Sequence, residues 1–305
     1  MEKNKSKVII VGSMAFDNIK THKSSVKNVL GGSASYSSIA ASFFAKPKVI
    51  AVVGSDFTKK HIKPFHDRGV DTSGIEVRDG KTFTWAAEYD KDFKNATTIS
   101  TDLNVFADFA PALKPADTQP EALFLANISP KLQLDVLKQV KKPRLIACDT
   151  MNLWIKNNKA QLLKLLKSID IVFVNEAESR QLTGIYNLIK AGKAILKMGP
   201  KVVVIKLGPN GALLLTKDAM FQVPPFLIEE PVDTTGAGDS FGGGFVGYLA
   251  SVKNWNNIKH IKKALAYGTV LASFAIESFS IKKLAQVKPQ DIKKRFEIYS
   301  KSCRF

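Results

Sequence analysis

Cysteine is nearly absent from this chain of 305 residues: Cys148 lies inside an apolar run and Cys303 near the end. Two thiols so placed exclude a disulfide framework and a cysteine-rich zinc site. No apolar run reaches the roughly 18 to 20 residues that span a bilayer. The opening MEKNKSK, followed by VIIVG, lacks the apolar core of a signal peptide, so the expectation is a cytoplasmic protein with no membrane partner. Pro/Gly/Ser-rich linkers, internal repeats and low-complexity tracts are missing too, which points to one α/β domain over residues 1–305 with an insertion. Only one glycine follows the first strand pattern, in Val11-Gly12-Ser13-Met14-Ala15, so the GxGxxG fingerprint of a dinucleotide-dependent dehydrogenase is absent. Acidic residues are sparse, 27 against 45 lysines and arginines, for a formal charge of +18. The excess is mostly lysine spread over helical stretches such as KLQLDVLKQVKK and NIKHIKKAL, without the clustered arginine and interleaved aromatics of a nucleic-acid reader. The reading is a solvated lysine-rich surface, no nucleic-acid partner, and a field that attracts phosphorylated small molecules.

What is present is an alternation of strand and helix patterns. Lys7 to Val11, Lys48 to Val53, Leu123 to Ala126, Arg144 to Cys148, Ile171 to Val174 and Val202 to Lys206 read as buried parallel strands. Helical patterns separate them, over Ala34 to Phe44, Asp56 to Arg68, Lys131 to Val140, Lys159 to Ser168, Glu176 to Thr183 and Leu188 to Lys197. Ala212 to Thr216 and Ala219 to Val223 form a closing hairpin, and Gly238 to Val252, Ile258 to Ser278 and Pro289 to Ser300 are helical. Asn18 to Leu30 suits an exposed strand pair. Ile75 to Val77, Thr82 to Tyr89 and Thr97 to Ser100 read as strands split by the turns Asp79-Gly80 and Asp90 to Asn95. These segments, about 18–31 and 76–108, are expected to form a small β lid, with Phe83, Trp85 and Phe93 chiefly as lid core.

The chemistry is expected at Asp233-Thr234-Thr235-Gly236-Ala237-Gly238-Asp239. This turn sits between Val232, read as a strand end, and an apolar helix, so its backbone N–H groups converge at a helix N-terminus and form an anion site. Asp239, in the first helical turn, is at least a favourable partner of the helix dipole; beside an anion site it is also placed to accept a hydroxyl proton. The helix keeps Gly242, Gly243, Gly244 and Gly247, each costing roughly 0.5 to 1 kcal/mol against alanine in a helix interior, so close packing against backbone or ligand is expected.

DTTGAGDSF resembles the signature of the ribokinase-like (phosphofructokinase-B) carbohydrate and nucleoside kinases. The resemblance runs along nearly the whole chain. Gly12 to Asp17 resembles the first-strand motif whose aspartate, here Asp17, binds substrate hydroxyls, and Gly31-Gly32 resembles the di-glycine hinge at the lid base. Asn175-Glu176-Ala177-Glu178 resembles the NxxE motif, whose glutamate helps place magnesium, largely through water. Lys206-Leu207-Gly208-Pro209-Asn210-Gly211 resembles the strand and turn bordering the nucleotide.

The resemblance implies a three-layer α/β/α sandwich with a mostly parallel sheet and a β lid. It implies transfer of the γ-phosphoryl of ATP to a hydroxyl, usually a primary alcohol, of a sugar or nucleoside. Asp239 would be the base, Gly236, Ala237 and Gly238 the anion hole, and Mg²⁺ the bridge between phosphates. Asp17, Gly31, Gly32, Ser33 and Tyr36 would bind substrate; Asn175, Lys206, Gly208 and Gly211 would line the nucleotide; Glu178 would serve the metal. Asp233 would stand near a K⁺ site that many members carry, and the exposed lid offers an edge for a homodimer. Tyr36 stands where many members have a substrate-binding asparagine, which leaves the acceptor open because a phenol cannot copy an amide. Asp149 follows a strand end as a candidate facing the phosphates. The competing reading is a catalytically silent nucleotide- or sugar-binding protein on the same fold.

Overall fold

The computed structural model describes residues 7–93 and 96–303. Lys94 and Asn95, the end of the turn expected over Asp90 to Asn95, lie outside the described residues, as does the start of the chain through Ser6.

Short β-branched runs build the central sheet, because such side chains pack well on a pleated surface covered on both faces. β1 (Lys7–Val11) leads through β2 (Ala15–Lys20), β3 (Ser25–Gly31) and α1 (Ser33–Ala41) to β4 (Lys46–Gly54), α2 (Lys59–Asp67) and β5 (Asp71–Arg78). β6 (Phe83–Tyr89) and β7 (Ala96–Asp102) follow, then β8 (Ala122–Leu125), α3 (Pro130–Leu137), β9 (Leu145–Asp149), α4 (Asn152–Asn157) and α5 (Lys159–Leu166). β10 (Ile171–Asn175), α6 (Glu176–Thr183), α7 (Leu188–Leu196) and β11 (Val202–Lys206) complete the alternation before the hairpin of β12 (Ala212–Thr216) and β13 (Met220–Val223). The chain ends in α8 (Ala237–Ala250), α9 (Ile258–Ala275), α10 (Lys282–Gln286) and α11 (Pro289–Ser302).

Nine strands pair in the order β13-β12-β11-β10-β9-β8-β1-β4-β5. All pairs from β11 to β5 are parallel, and only the terminal hairpin runs antiparallel. Because successive side chains point to opposite faces, each strand feeds two cores. Val8 and Ile10 join one with Phe124, Phe173, Phe245 and Leu271, under α1, α8 and α9. Ile9 and Val11 join the other with Val136, Leu165, Leu182 and Ile195, under α3, α5, α6 and α7. The architecture is the expected three-layer α/β/α sandwich. A second sheet, β3-β2-β6-β7, forms the lid.

Three differences from the sequence reading have physical causes. β5 does not belong to the lid: it pairs in parallel with β4 as the edge of the large sheet. An edge strand covered on one side only has the mixed burial of an exposed hairpin strand, and β5 shows that pattern. The lid therefore starts at Ala15 and, in its second part, at Phe83. Val232 ends no strand, since the segment from 224 to 234 carries Pro224, Pro225 and Pro231, which cannot donate to a ladder. The short helices α4 and α10 were not expected at all.

The glycines of α8 are packing positions. A Cβ on Gly243 would overlap the Ser37 backbone, and one on Gly247 would stand 2.8 Å from Ala41 Cα, so α8 lies against α1 backbone to backbone. Gly242 meets the Phe124 ring at 2.7 Å and Gly244 makes room for Leu271. All four pack against protein backbone or side chains, so of the two partners expected for them, backbone or ligand, it is the protein that fills the space. Gly243→Ala is expected to cost on the order of 1–3 kcal/mol of stability, the scale of overpacking. A thermal unfolding midpoint equal to that of the unsubstituted protein would contradict this packing.

Candidate active site

Three neighbouring parallel strands end on polar residues at one edge of the sheet. β9 ends on Asp149, β10 on Asn175 and β11 on Lys206. The carboxyl edge of such a sheet is where open α/β folds bind ligands. The register sets Lys206 beside Asn175, and Phe173 beside Asp149, so β10 lies between the lysine and the aspartate. Lys206 Nζ nevertheless donates to Asp149 Oδ1 at 2.9 Å and Oδ2 at 2.8 Å. Asn175 caps α6 reciprocally: its Oδ1 accepts from Glu178 N at 2.8 Å, while its N and Nδ2 donate to the two Glu178 carboxylate oxygens at 2.7 Å. Both oxygens of Glu178 are thereby engaged within the chain.

The Asp233–Asp239 turn meets this edge from above. Thr235 N donates to Asp233 Oδ1 at 2.8 Å, fixing the start of the turn. Gly236 follows at φ 74°, in the left-handed region that glycine adopts at little cost, and is the N-cap of α8. Ala237 N donates to Thr234 O at 3.2 Å, so this N–H of the expected anion hole is engaged. Gly238 N and Asp239 N have no acceptor among the described residues and lie in the first turn, where helix donors are orphaned. Lys206 Nζ stands 3.1 Å from the point a Gly238 Cβ would occupy. Two free N–H donors, a dipole end and an ammonium thus share one small volume.

The lid base closes the other side. Asp17 lies in β2, already within the lid sheet, and is buried. A Cβ on Gly31 would overlap the Asp17 carboxylate, so the first hinge glycine clears space for the acid. Gly32 sits at φ 90°, and a Cβ there would come within 2.5 Å of Ser13 O. Ser33 binds the protein itself: its Oγ accepts from Ser13 N at 3.1 Å and donates to Asn127 O at 3.1 Å. The buried Tyr36 ring lies flat on Gly236, in contact too close to admit a Cβ. Tyr36 is thus a wall of the turn. At the far end of the lid, Thr235 Oγ1 donates to Tyr89 Oη at 3.0 Å and Thr234 Oγ1 to Phe93 O at 3.1 Å, which holds the lid on the turn. Phe83 stacks on Phe106, Phe93 meets His22 edge to face, and Trp85 Nε1 donates to Thr98, so these aromatics have protein partners.

The two glycines expected to line a nucleotide behave differently. Gly211, at φ 88°, packs on the Val223 carbonyl and shapes the turn between β11 and β12, whereas the space a Gly208 Cβ would fill is open.

Crowding of acids in a largely buried cluster changes their chemistry. Burial, reinforced by Asp149 and opposed by Lys206, pushes the Asp239 carboxyl up to about 7. Burial also lifts Glu178 to about 7, with Lys206 opposing and Asp149 reinforcing. Asp17 is driven well above the usual carboxylate range, first by burial and then by Asp233 and Asp239, which means the three acids face one region. Burial alone would lower the Lys206 pKa, but Asp149, then Glu178, raise it, so the lysine stays an ammonium. The Asp149–Lys206 pair and the Tyr89 contact were invisible in the sequence, because only the strand order and the lid fold bring them to the site.

The donor set fits a polyphosphate: two unspent N–H groups, a helix N-terminus and a cation. It fits a divalent metal in one way. Among the described residues no group of three His, Cys, Asp or Glu side chains could hold a metal ion, so the ion would be held largely by phosphate oxygens and water, with Glu178 behind the water.

Comparison with known proteins agrees with this geometry. The family model described as pfkB family carbohydrate kinase matches residues 5–285. A cytidine kinase from Thermococcus kodakarensis is 28% identical over 246 residues, covering 78% of this chain and 87% of its own. A ribokinase from Haemophilus influenzae is 26% identical over 260 residues, 81% of this chain and 80% of its own. The fold is that of the Methanocaldococcus jannaschii nucleoside kinase, an archaeal member of the ribokinase family, with a TM-score of 0.76 at 18% identity over 97% of this chain and 100% of that one. With DTTGAGD at the start of α8 and a β lid above it, this chain belongs to the pfkB family of carbohydrate kinases, as a sugar or nucleoside kinase.

Proposed function

We propose that the protein transfers the γ-phosphoryl group of ATP to a hydroxyl, a primary alcohol, of a sugar or nucleoside, with Asp239 as general base. The observation that carries this reading is the placement of Asp239 in the first turn of α8, beside the free N–H groups of Gly238 and Asp239 itself and the Lys206 ammonium. Asp17 would hold the acceptor from the lid side, with Tyr36 as the wall that fixes its depth. Asn175 and the turn from Gly208 to Gly211 would border the nucleotide.

The acceptor hydroxyl gives its proton to the Asp239 carboxylate as its oxygen bonds to the phosphorus. The free N–H groups neutralise charge on the phosphoryl oxygens, and such stabilisation is usually the largest catalytic contribution. Mg²⁺ bound with the nucleotide would supply further charge neutralisation and orientation. The lid, held on the turn through Tyr89 and Phe93, excludes water that would otherwise compete with the acceptor. The cytidine kinase and the ribokinase among the relatives define the two acceptor classes to test. A silent binding protein would have no use for a base at this point, and Asp239 speaks against it.

Asp239→Asn is expected to leave ATP affinity nearly intact and lower kcat by about 100-fold or more, the scale of a general base. Turnover equal to that of the unsubstituted enzyme would remove the assignment. Because Asp239 acts as the carboxylate and its pKa lies at about 7, kcat/KM is expected to fall as pH drops below that value. A pH profile flat from 5 to 8 would contradict the protonation argument. Glu178→Gln is expected to raise the magnesium concentration needed for half-maximal rate more than it alters acceptor KM, and an unchanged magnesium titration would count against its role.

A further inference from the structure

Lys206 and Asp149 end strands separated by β10. Neighbouring strands stand about 4.8 Å apart, so the ammonium crosses roughly 10 Å of sheet edge to reach its partner. Lys201, just before the start of the same strand, pairs at 2.7 Å with Asp170, just before the neighbouring β10, and so crosses no intervening strand. The long reach delivers the ammonium beside Gly238, next to the free N–H donors of the turn. The two partners differ in access: the Asp149 side chain is 3% exposed and that of Lys206 18%. The anion lies beneath and the cation faces the open side. Thr150 Oγ1, adjacent to Asp149, is also buried with no hydrogen-bond partner among the described residues.

We infer that the Lys206 ammonium is a catalytic cation that contacts the phosphoryl group during transfer, and that Asp149 is the residue that positions it. The inference rests on the proposed kinase function and goes beyond it by separating a charge that acts in the transition state from groups that bind the nucleotide at rest. In the transfer step the acceptor oxygen bonds to the γ-phosphorus and its proton passes to Asp239. The bond from that phosphorus to the β,γ-bridging oxygen breaks, and its electron pair leaves with ADP. Lys206 neither gives nor takes a proton; it meets the charge on the equatorial oxygens of the group in flight. Paired to Asp149 before reaction, it is already oriented, so little side-chain freedom is lost when the phosphoryl arrives. Asp149 touches no substrate in this account and acts through the lysine.

The test compares affinity for ADP alone with affinity for ADP plus aluminium fluoride, a mimic of the phosphoryl group in transfer, with Mg²⁺ present. It is run on the unsubstituted protein, Lys206→Met and the double variant Lys206→Met/Asp149→Asn. The double variant is needed because the single one leaves a buried carboxylate unpaired and can fail to fold. The preference for the fluoride complex over ADP is expected to fall about 100-fold in either folded variant, while ADP affinity changes less than about threefold. Asp149→Asn alone should lose part of that preference and lower kcat without raising the KM for ATP. Equal preference in the folded double variant and the unsubstituted protein would overturn the inference, as would an unsubstituted protein that binds both ligands alike. The kinase reading is measured separately, by acceptor-dependent ADP release, so the two can fail independently.

Discussion

The site depends on how closely α8 lies on α1. Gly243 and Gly247 let the two helix backbones touch, and Ser37 Oγ adds a bond to Asp239 O at 3.1 Å across the same seam. That contact fixes the height of the α8 N-terminus above the sheet. Beside it, the Tyr36 ring of α1 lies on Gly236, so the helix that packs the core also supports the turn at the head of α8. Larger side chains along this seam would lift Asp239 and the free N–H donors away from the strand ends that supply Lys206 and Asp149. The glycines that weaken α8 as an isolated helix are therefore what place its first turn.

Charge is the second constraint. One ammonium, Lys206, lies among Asp149, Glu178 and Asp239, so the cluster at the strand ends holds more acid than base. Buried carboxylates without counter-charges tend to hold protons, as the raised values of Asp239 and Glu178 show. The cluster thus favours a ligand that brings its own cations. A polyphosphate accompanied by divalent metal satisfies that demand, whereas a neutral ligand would leave it unmet. Asp17, buried in β2, lies in the same field, its carboxyl raised by burial and then by Asp233 and Asp239.

Much of this was readable in the residues. The β-branched runs located six of the seven parallel strands to within a few residues, and the hairpin of β12 and β13 followed from its turn. The motif DTTGAGD located the head of α8, and NxxE located the cap of α6, because both are local patterns in which a side chain meets a backbone two or three residues away. What failed was set by distant parts of the chain. β5 was misplaced because edge strands of a large sheet and strands of a small one have the same half-buried pattern. The glycines of α8 carried no mark of their neighbour, which lies about 200 residues earlier in α1. Of the three donors expected for the anion hole, Ala237 turns its N–H to Thr234, whereas Gly236 N and Gly238 N have no acceptor among the described residues. The bonds of Ser33 to Ser13 and Asn127 were equally out of view, since they join α1 to the ends of β1 and β8.

The central claim is that the head of α8 is a phosphoryl-transfer centre with the acceptor on the lid side and the nucleotide on the strand-end side. The most direct measurement is ADP release from Mg²⁺·ATP across a panel of sugars and nucleosides, with and without K⁺, followed by phosphorus NMR of the product. The account predicts ADP release that depends on one class of acceptor, and a phosphate monoester on that acceptor. ADP release that no sugar or nucleoside accelerates, with inorganic phosphate as the only product, would contradict it.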